Sequence, residues 1–254
     1  MSIIQAASEV RKKLVFKIGF KILQWFERVI ARHSLIGDSP FFPSSQFEWS
    51  KLLEENWPVI RREAETILQY RSQLPSFHEI SPHQKRISDE KWKTFFLYGY
   101  GYKSEKNCQL CPNTTRLLEK IPGMKTAFFS ILEPHKHIPD HRGPYKGLIR
   151  YHLGVIVPEP KELCRIRVGQ EYANWEEGKS LVFDDTYNHE VWNDTDGERV
   201  VLFLDVIRPM PFPISWLNAL VIKLVGLTSY IQDAKKNQEK WEKKLNHKEA
   251  GVAA

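Results

Sequence analysis

The stretch SLVFDDTYNHEVWNDTDGERVVLFLDVI, residues 180–207, decides the fold class. It contains three short apolar segments, Ser180–Asp184, His189–Asn193 and Arg199–Ile207, separated by Asp, Asn, Thr and Gly. Residues of that kind interrupt strands and form turns, and the apolar period has changed from 3.6 to 2 by about Thr126. The earlier segments with the same pattern are Thr126–Leu132, Leu148–Val157 and Cys164–Gly169. Short strands at this spacing predict a mainly β sandwich or barrel.

Helical patterns flank this β region on both sides. Apolar residues recur on one helical face from Glu48 to Tyr70, and Pro58 predicts a kink or a break there. The prolines at 209, 211 and 213 exclude a helix through those positions, and a polar helix is predicted from Lys235 to Leu245. We therefore expect three parts: a terminal helix and linker over 1–45, a helix-flanked β domain over 46–210, and an apolar segment with a polar helix over 211–254.

Composition and charge exclude several classes of protein. With 254 residues, 42% hydrophobic and 27% charged, the chain is neither disordered, nor collagen-like, nor a polytopic membrane protein. The formal charge of +6 is concentrated at one end, where residues 1–33 hold seven Lys or Arg against two Glu, leaving only +1 for the rest. A nucleic-acid-binding protein more often spreads positive charge over its folded body, so we expect no nucleic-acid partner.

The N-terminal segment from Val10 to Ile30 has the pattern of a basic amphipathic helix. One face is lined by residues at spacings of three or four, namely Lys13, Lys17, Lys21, Gln24 and Arg28, and apolar residues that include Phe and Trp fill the rest. This pattern suits an anionic membrane surface, and the apolar segment near the C-terminus raises the same possibility. The alternative is a helix that packs on the domain and leaves its lysines in water.

The cysteines and the N-terminal residues indicate the cellular compartment of the protein. Three cysteines, Cys108, Cys111 and Cys164, are too few for a secreted disulfide framework or a four-ligand zinc site, and we expect free thiols. The N-terminal apolar stretch is interrupted by lysines and has no small-residue cleavage site. We therefore expect a cytoplasmic protein, peripheral on the cytoplasmic face of the membrane.

Several histidines lie within the β region and are candidate metal ligands. Two imidazoles on neighbouring strands can meet at one end of a barrel, although for any single histidine a structural role is the commoner one. A non-haem iron facial triad needs His-x-Asp/Glu and a distant His. Here the motif is His141-Arg142-Gly143, with glycine in the place of the carboxylate. The motif rule alone therefore does not assign a metal site.

Four motifs in order provide wider context: PDHRGP (139–144), IRYHLG (149–154), WEEGK (175–179) and FDDTYNHEVW (183–192). Together they strongly resemble the aspartyl/asparaginyl β-hydroxylase family, over about Trp92 to Pro209. The family's members are iron(II)- and 2-oxoglutarate-dependent dioxygenases on a double-stranded β-helix, or jelly-roll, and characteristically lack the triad carboxylate. The resemblance implies that fold for this chain, with both cofactors, and it implies hydroxylation of a substrate carbon.

The resemblance also implies a set of site residues. It makes His141 and His189 the two iron ligands and the catalytic centre, and it makes Ser130, Arg150, His152 and Arg199 the 2-oxoglutarate site. Arg150 and His152 are two apart on a predicted strand and so face the same way, and the planar fork of Arg199 suits the distal carboxylate. The alternative for Arg199 is a surface salt bridge with Glu198 or another neighbour.

The family contains protein hydroxylases and bacterial lipid A acyl-chain hydroxylases, and the two imply different substrates. Where the protein hydroxylases carry Arg-x-Arg-x-His this chain has Leu148 in place of the first arginine. That residue and the two terminal segments favour a fatty acyl chain of lipid A, with Arg165 and Arg167 as candidate contacts to its phosphates or as a solvated strand face. The alternative is an aspartyl or asparaginyl side chain of a protein or peptide. The flanking motifs argue against a halogenase, and the retained histidines and arginines argue against a non-catalytic module.

Overall fold

A computed structural model describes residue 21 and residues 23–252, with side chains up to residue 243. Its helices are α1 (23–33), α2 (Glu48–Glu55), α3 (Trp57–Leu68), α4 (Phe77–Ile80), α5 (Glu105–Leu110), α6 (Pro112–Leu118), α7 (Ile214–Gly226) and α8 (Ser229–Val252). Its strands are β1 (Phe41–Phe42), β2 (Trp92–Gly99), β3 (Tyr102–Lys103), β4 (Met124–Leu132), β5 (Lys136–His141), β6 (Leu148–Ile156), β7 (Cys164–Val168), β8 (Glu171–Asn174), β9 (Ser180–Phe183), β10 (His189–Asn193) and β11 (Arg199–Ile207). Short 3-10 turns occur at Ser44–Gln46, Arg71–Gln73, Pro82–Gln84 and Lys161–Leu163.

The strands form two antiparallel sheets packed face to face. The larger sheet has the order β1-β9-β6-β11-β4-β2-β3 and the smaller one β5-β10-β7-β8. Apolar side chains from both sheets, such as Phe128, Phe203 and Ile166, fill the space between them. This is the predicted mainly β, jelly-roll architecture with flanking helices.

Strand β11 shows why a continuous apolar run can sit at the centre of the larger sheet. Its residues alternate between two environments, because successive side chains of a strand point to opposite faces. Val200, Leu202 and Leu204 pack under the helices on the outer face. Val201 and Phe203 point between the sheets. The polar ends of the strand, Arg199 and Asp205, therefore also face the interior of the jelly-roll.

The predicted strands are confirmed with small differences in their bounds. His189–Asn193 and Arg199–Ile207 agree with β10 and β11, and the other four differ at their ends by one or two residues. The pattern missed β1, β2, β3, β5 and β8. Strand β5 reads KHIPDH and lacks the alternation of apolar and polar residues by which a strand is predicted.

The predicted helices are present, but their bounds differ from the prediction. The helix expected from Glu48 to Tyr70 breaks at Asn56, and Pro58 lies in the first turn of α3, where its missing N–H is tolerated. Helix α7 begins directly after Pro213, as the prolines require. The polar C-terminal helix begins at Ser229, six residues before the predicted start at Lys235.

The described parts of both terminal segments pack on the same side of the β core. Phe26 and Ile30 of α1 are buried in a cluster with Tyr145, Met210 and Ile222 of α7. The packing alternative for the N-terminal segment is therefore correct for these two residues. The part of the predicted basic helix that precedes residue 21 lies outside the described residues.

Within the described residues no single helix is long and apolar enough to cross a bilayer. One pair of consecutive helices, Ile214–Gly226 and Ser229–Lys243, is long and apolar enough for a span when taken together, by length and composition only. The two helices are bent by 55° relative to each other.

Candidate active site

Two histidines meet at one end of the smaller sheet. His141 ends β5 and His189 begins β10, and the two residues are directly opposed in the antiparallel register. Their ring centroids lie 4.0 Å apart. His141 Nδ1 donates to the Pro139 carbonyl oxygen at 2.8 Å, and His189 Nδ1 donates to the Tyr187 carbonyl oxygen at 3.0 Å. A backbone acceptor at Nδ1 places the proton there and leaves the Nε2 lone pair of each ring free for a ligand role.

The surroundings keep both imidazoles neutral, which metal coordination requires. Burial lowers the pKa of His141. Burial also lowers the pKa of His189 well below its usual value, and His141 and the Arg150 cation add to this effect. The donor set of two neutral imidazoles therefore fits a divalent transition metal.

A carboxylate occupies the space beside Gly143, where the facial triad would have its acid. Among the described residues no three His, Cys, Asp or Glu side chains form a group that could hold a metal ion. A Cβ at Gly143 would lie only 2.1 Å from Asp185 Oδ2, and the Gly143 N–H donates to the Asp185 carbonyl oxygen at 2.6 Å. A side chain at position 143 would therefore displace Asp185. Sequence reasoning assigned Asp185 no role, although it lies within one of the motifs.

Arg150 joins Asp185 to a second carboxylate, Asp205. Arg150 Nη2 lies 2.9 Å from Asp185 Oδ2, and its Nε donates to Asp205 Oδ1 at 3.1 Å. Burial alone would lower the pKa of Arg150, but the two carboxylates outweigh it and raise the pKa. The pKa of Asp185 is raised to about 6, chiefly because burial disfavours its charged form, which Arg150 only partly offsets. The charge of Arg150 is thus already balanced within the protein.

Arg199 is buried without a carboxylate partner among the described residues. It is 2% exposed, and its guanidinium stacks on Trp175 at 4.5 Å and donates from Nη2 to Ser130 Oγ at 3.3 Å. Its Nε has no hydrogen-bond partner, and burial lowers its pKa to about 10. The surface salt bridge with Glu198 is therefore wrong: Glu198 lies 3.8 Å from Arg71 instead.

His152 provides a second buried donor next to Arg199. The Trp175 indole N–H donates to His152 Nδ1 at 3.3 Å, which places the imidazole proton on Nε2. That Nε2 is buried and has no partner. Burial and the nearby Arg199 cation lower the pKa of His152 well below its usual value. Two unpartnered buried donors are costly unless a ligand supplies acceptors, and a dicarboxylate supplies them.

The structure brings three of the four predicted co-substrate residues, Ser130, His152 and Arg199, together around Trp175 and Trp92. Trp92 donates from its indole to Ser130 Oγ at 3.0 Å. Arg150 shares a face of β6 with His152, as the strand period predicts, because both pack on Phe203. Its guanidinium nevertheless lies between Asp185 and Asp205. Sequence reasoning gave neither tryptophan a role, although Trp175 begins the third motif.

An apolar cavity of about 420 Å³ opens beside the histidine pair. His141, Gly143, Arg150 and Asp185 line one part of its wall. Aromatic and aliphatic side chains dominate the rest, among them Phe77, Phe96, Phe128, Phe203, Leu148 and Val225. A cavity of this size whose surface is mostly apolar suits an apolar small molecule or chain.

The jelly-roll, the histidine pair without a third carboxylate and the buried arginine together define a hydroxylase of this fold. A family model described as aspartyl/asparaginyl beta-hydroxylase matches residues 54–209, and the chain belongs to that family. The predicted resemblance is confirmed by this match.

Two relatives differ in how much of their length the chain covers. It is 45% identical over 236 residues to the ornithine lipid ester-linked acyl 2-hydroxylase of Rhizobium tropici, covering 92% of this chain and 84% of that protein. It is 36% identical over 168 residues to the human aspartyl/asparaginyl beta-hydroxylase, covering 64% of this chain but only 21% of that protein. Among solved structures, the Schizosaccharomyces pombe Cnp3 cupin domain matches at 10% identity with a TM-score of 0.34, over 56% of this chain and 75% of that one.

Proposed function

We propose that this protein is an iron(II)- and 2-oxoglutarate-dependent dioxygenase that hydroxylates carbon 2 of a fatty acyl chain in a membrane lipid. The observation that carries the cofactor part is the buried Arg199, which has no carboxylate partner among the described residues and lies next to the unpartnered His152. The relative from Rhizobium tropici and the apolar cavity support the substrate part.

The residues fit both cofactors. His141 and His189 would hold the iron through their free Nε2 atoms. Bound iron(II) would supply the oxidising chemistry with dioxygen as the oxidant: 2-oxoglutarate would lose carbon dioxide and take up one oxygen atom to become succinate, and the other oxygen atom would enter the substrate. Asp185, next to Gly143, would accept a hydrogen bond from a water molecule bound near the metal.

The co-substrate would be held by the protein's unpaired donors. Arg199 would pair with the distal carboxylate through its planar fork, assisted by Ser130. The His152 Nε2–H would donate to the same ligand. We keep Arg150 in the proposed co-substrate site because it lies two residues from His152 on the same face of β6. Its charge is already balanced by Asp185 and Asp205.

An acyl chain is the substrate that the cavity favours. Its wall is mostly apolar, and Leu148 lies in it at the position where protein hydroxylases of the family carry an arginine. We favour an ornithine lipid over the lipid A predicted from sequence, following the relative that matches over most of its length. The candidate phosphate contacts also support this choice, because Arg165 is paired with Asp194 and Arg167 with Asp140 and Glu190. The peptide substrate remains the alternative.

The outer face of α7 supports a site at a membrane surface. Large apolar side chains that are 39–83% exposed lie along it and its flanks: Phe212, Trp216, Leu217, Leu220, Leu224 and Leu227. On α1, which packs against α7, one face carries an exposed stripe at helical spacing that consists of Trp25, Arg28 and Arg32, and the exposed Lys21 precedes it. Exposed apolar residues beside cations suit an anionic bilayer surface, where the tryptophans would lie at headgroup level. Peripheral attachment to the cytoplasmic face, as predicted from sequence, is part of the proposal.

Charge placed on the α7 face is expected to abolish most vesicle binding. Trp216→Glu combined with Leu220→Glu should weaken co-sedimentation with anionic vesicles at least about tenfold, since burying one large apolar side chain contributes about 1.5–3 kcal/mol. The matched control is Tyr172→Glu, because Tyr172 is an aromatic side chain that is 63% exposed on β8 of the smaller sheet. Deletion of residues 1–33 is a poorer test, because Phe26 and Ile30 belong to a buried cluster. Equal sedimentation of the α7 variant and the control would contradict membrane contact through α7.

The proposed function is tested by mass spectrometry of lipids from cells with and without this gene. We expect one added oxygen on an acyl chain of ornithine lipid when the gene is present. An added oxygen on lipid A alone would return the substrate to the sequence-based prediction. Unchanged lipids together with a hydroxylated aspartyl or asparaginyl side chain would support the alternative.

A further inference from the structure

A row of polar side chains crosses the larger sheet at one end of the cavity. Arg150 of β6 is opposed to Asp205 of β11, and Asp205 is opposed to Thr126 of β4. Directly opposed residues of antiparallel strands point to the same face of a sheet. All three line the cavity, together with Asp185, and Phe203 separates this row from Arg199 at the other end of β11.

The group of side chains in contact with Arg150 has one more carboxylate than guanidinium. Two carboxylates, Asp185 and Asp205, face the single guanidinium of Arg150, and both are at least nine-tenths buried. Arg142 and Lys235 also line the cavity, but Arg142 contacts Glu27 and Lys235 lies over the ring of Tyr102. A buried carboxylate in excess is costly unless a cation from outside completes the group.

Three further atoms on the cavity wall have no hydrogen-bond partner among the residues that the structure describes. They are Thr126 Oγ1, Ser81 Oγ and Gln238 Oε1, and each belongs to a side chain at most 7% exposed. The amide oxygen of Gln238 can only accept, and the two hydroxyls can accept as well. With the carboxylates, the wall thus offers mainly acceptors, which calls for a ligand with several donors and a positive charge.

We propose that this polar end of the cavity binds a primary ammonium group on the headgroup of the substrate. An ammonium provides three N–H donors and one positive charge in a compact group, which matches the acceptors and the excess charge. The inference rests on the proposed function, because it assumes a lipid substrate. Ornithine has two amino groups, so a lipid in which one of them forms an amide keeps the other free. A phosphate headgroup, in contrast, would face two carboxylates.

The test compares two lipids on the full-length protein. One is ornithine lipid and the other is the same lipid with its free amine acetylated, and the rate of acyl hydroxylation is followed by mass spectrometry. We expect kcat/KM to fall at least about tenfold on acetylation, because hydrogen bonds to a charged group are lost and buried acceptors remain unpaired. Equal kcat/KM for the two lipids would overturn the ammonium site and leave the proposed function standing. Hydroxylation of neither lipid would overturn the proposed function and this inference with it.

A variant separates recognition of the amine from general damage. Thr126→Val removes an unpartnered hydroxyl from a buried site, so the melting temperature should not fall. We expect this variant to raise KM for the free-amine lipid. The kcat/KM values of the two lipids should therefore differ less than they do with the wild-type protein. The matched control is Thr66→Val, in which the lost hydroxyl lies on the exposed part of α3. This control should change neither KM for the free-amine lipid nor the difference in kcat/KM between the two lipids. An unchanged KM in the Thr126 variant would exclude that hydroxyl from the ammonium site.

Discussion

Replacing Arg199 with alanine is expected to raise the 2-oxoglutarate concentration needed for half-maximal turnover by about thirtyfold or more. The guanidinium is buried, touches no carboxylate among the described residues and keeps one unpaired N–H. Removing one side of a buried charge pair costs roughly 2–5 kcal/mol, and each 1.4 kcal/mol is about tenfold. The measurement is succinate formation against 2-oxoglutarate concentration, with iron(II) held constant.

Arg199→Lys tests whether the shape of the guanidinium matters. A point charge replaces a planar fork, so the lysine variant should recover only part of the affinity. Arg71→Ala is the control, because Arg71 is an exposed arginine near the same strand and lies 3.8 Å from Glu198. A 2-oxoglutarate dependence that is unchanged in Arg199→Ala would remove Arg199 from the proposed co-substrate site.

Replacing either His141 or His189 with alanine is expected to abolish iron-dependent turnover of 2-oxoglutarate. Only two imidazoles converge here, and the described residues contain no third acidic or thiol ligand in a metal-binding group. Each substitution therefore removes one of the two proposed protein ligands to the metal and should weaken iron binding. The measurements are succinate formation and the iron content of the purified protein after dialysis.

The control for the histidine variants is His137→Ala. His137 lies on the same strand as His141, but its Nε2 contacts Glu190 at 2.7 Å on the exposed side. This variant should keep its iron and its turnover. Near wild-type turnover in His141→Ala or His189→Ala would show that the pair does not hold the metal.

The sequence predicts the central strands well because their patterns are local. Strands β10 and β11 are short apolar segments bounded by turn residues, and their bounds follow from period and composition. Strand β5 carries His141 and was missed, because a strand with Pro139 and little alternation is recognised only through its partner β10. The start of α8 was misplaced because the residues before Asp233 were assigned to an uncharged segment, although Thr228, directly before Ser229, is a residue type that commonly begins helices.

The residues of the candidate site also fall into two groups: those that the sequence predicts and those whose contacts form only in the folded protein. His141, Arg150, His152 and His189 lie within the quoted motifs, and Ser130 and Arg199 are implied by the wider family resemblance. The role of Asp185 depends on its approach to Gly143, 42 residues earlier, and such a contact exists only in the folded protein. The burial of Arg199 likewise depends on Trp175 and Ser130 from other strands. The residues of the proposed ammonium site lie on different elements: Thr126 and Asp205 are opposed in the sheet, and Gln238 lines the same cavity from α8.

The most direct test of the proposed function is tandem mass spectrometry of ornithine lipid incubated with the purified protein, iron(II), 2-oxoglutarate and oxygen. Fragmentation locates the added oxygen on one chain and one carbon. We predict a single added oxygen at carbon 2 of the ester-linked acyl chain, formed together with succinate and absent with His189→Ala. Unmodified lipid in the presence of an enzyme that hydroxylates an aspartyl or asparaginyl peptide would contradict the account.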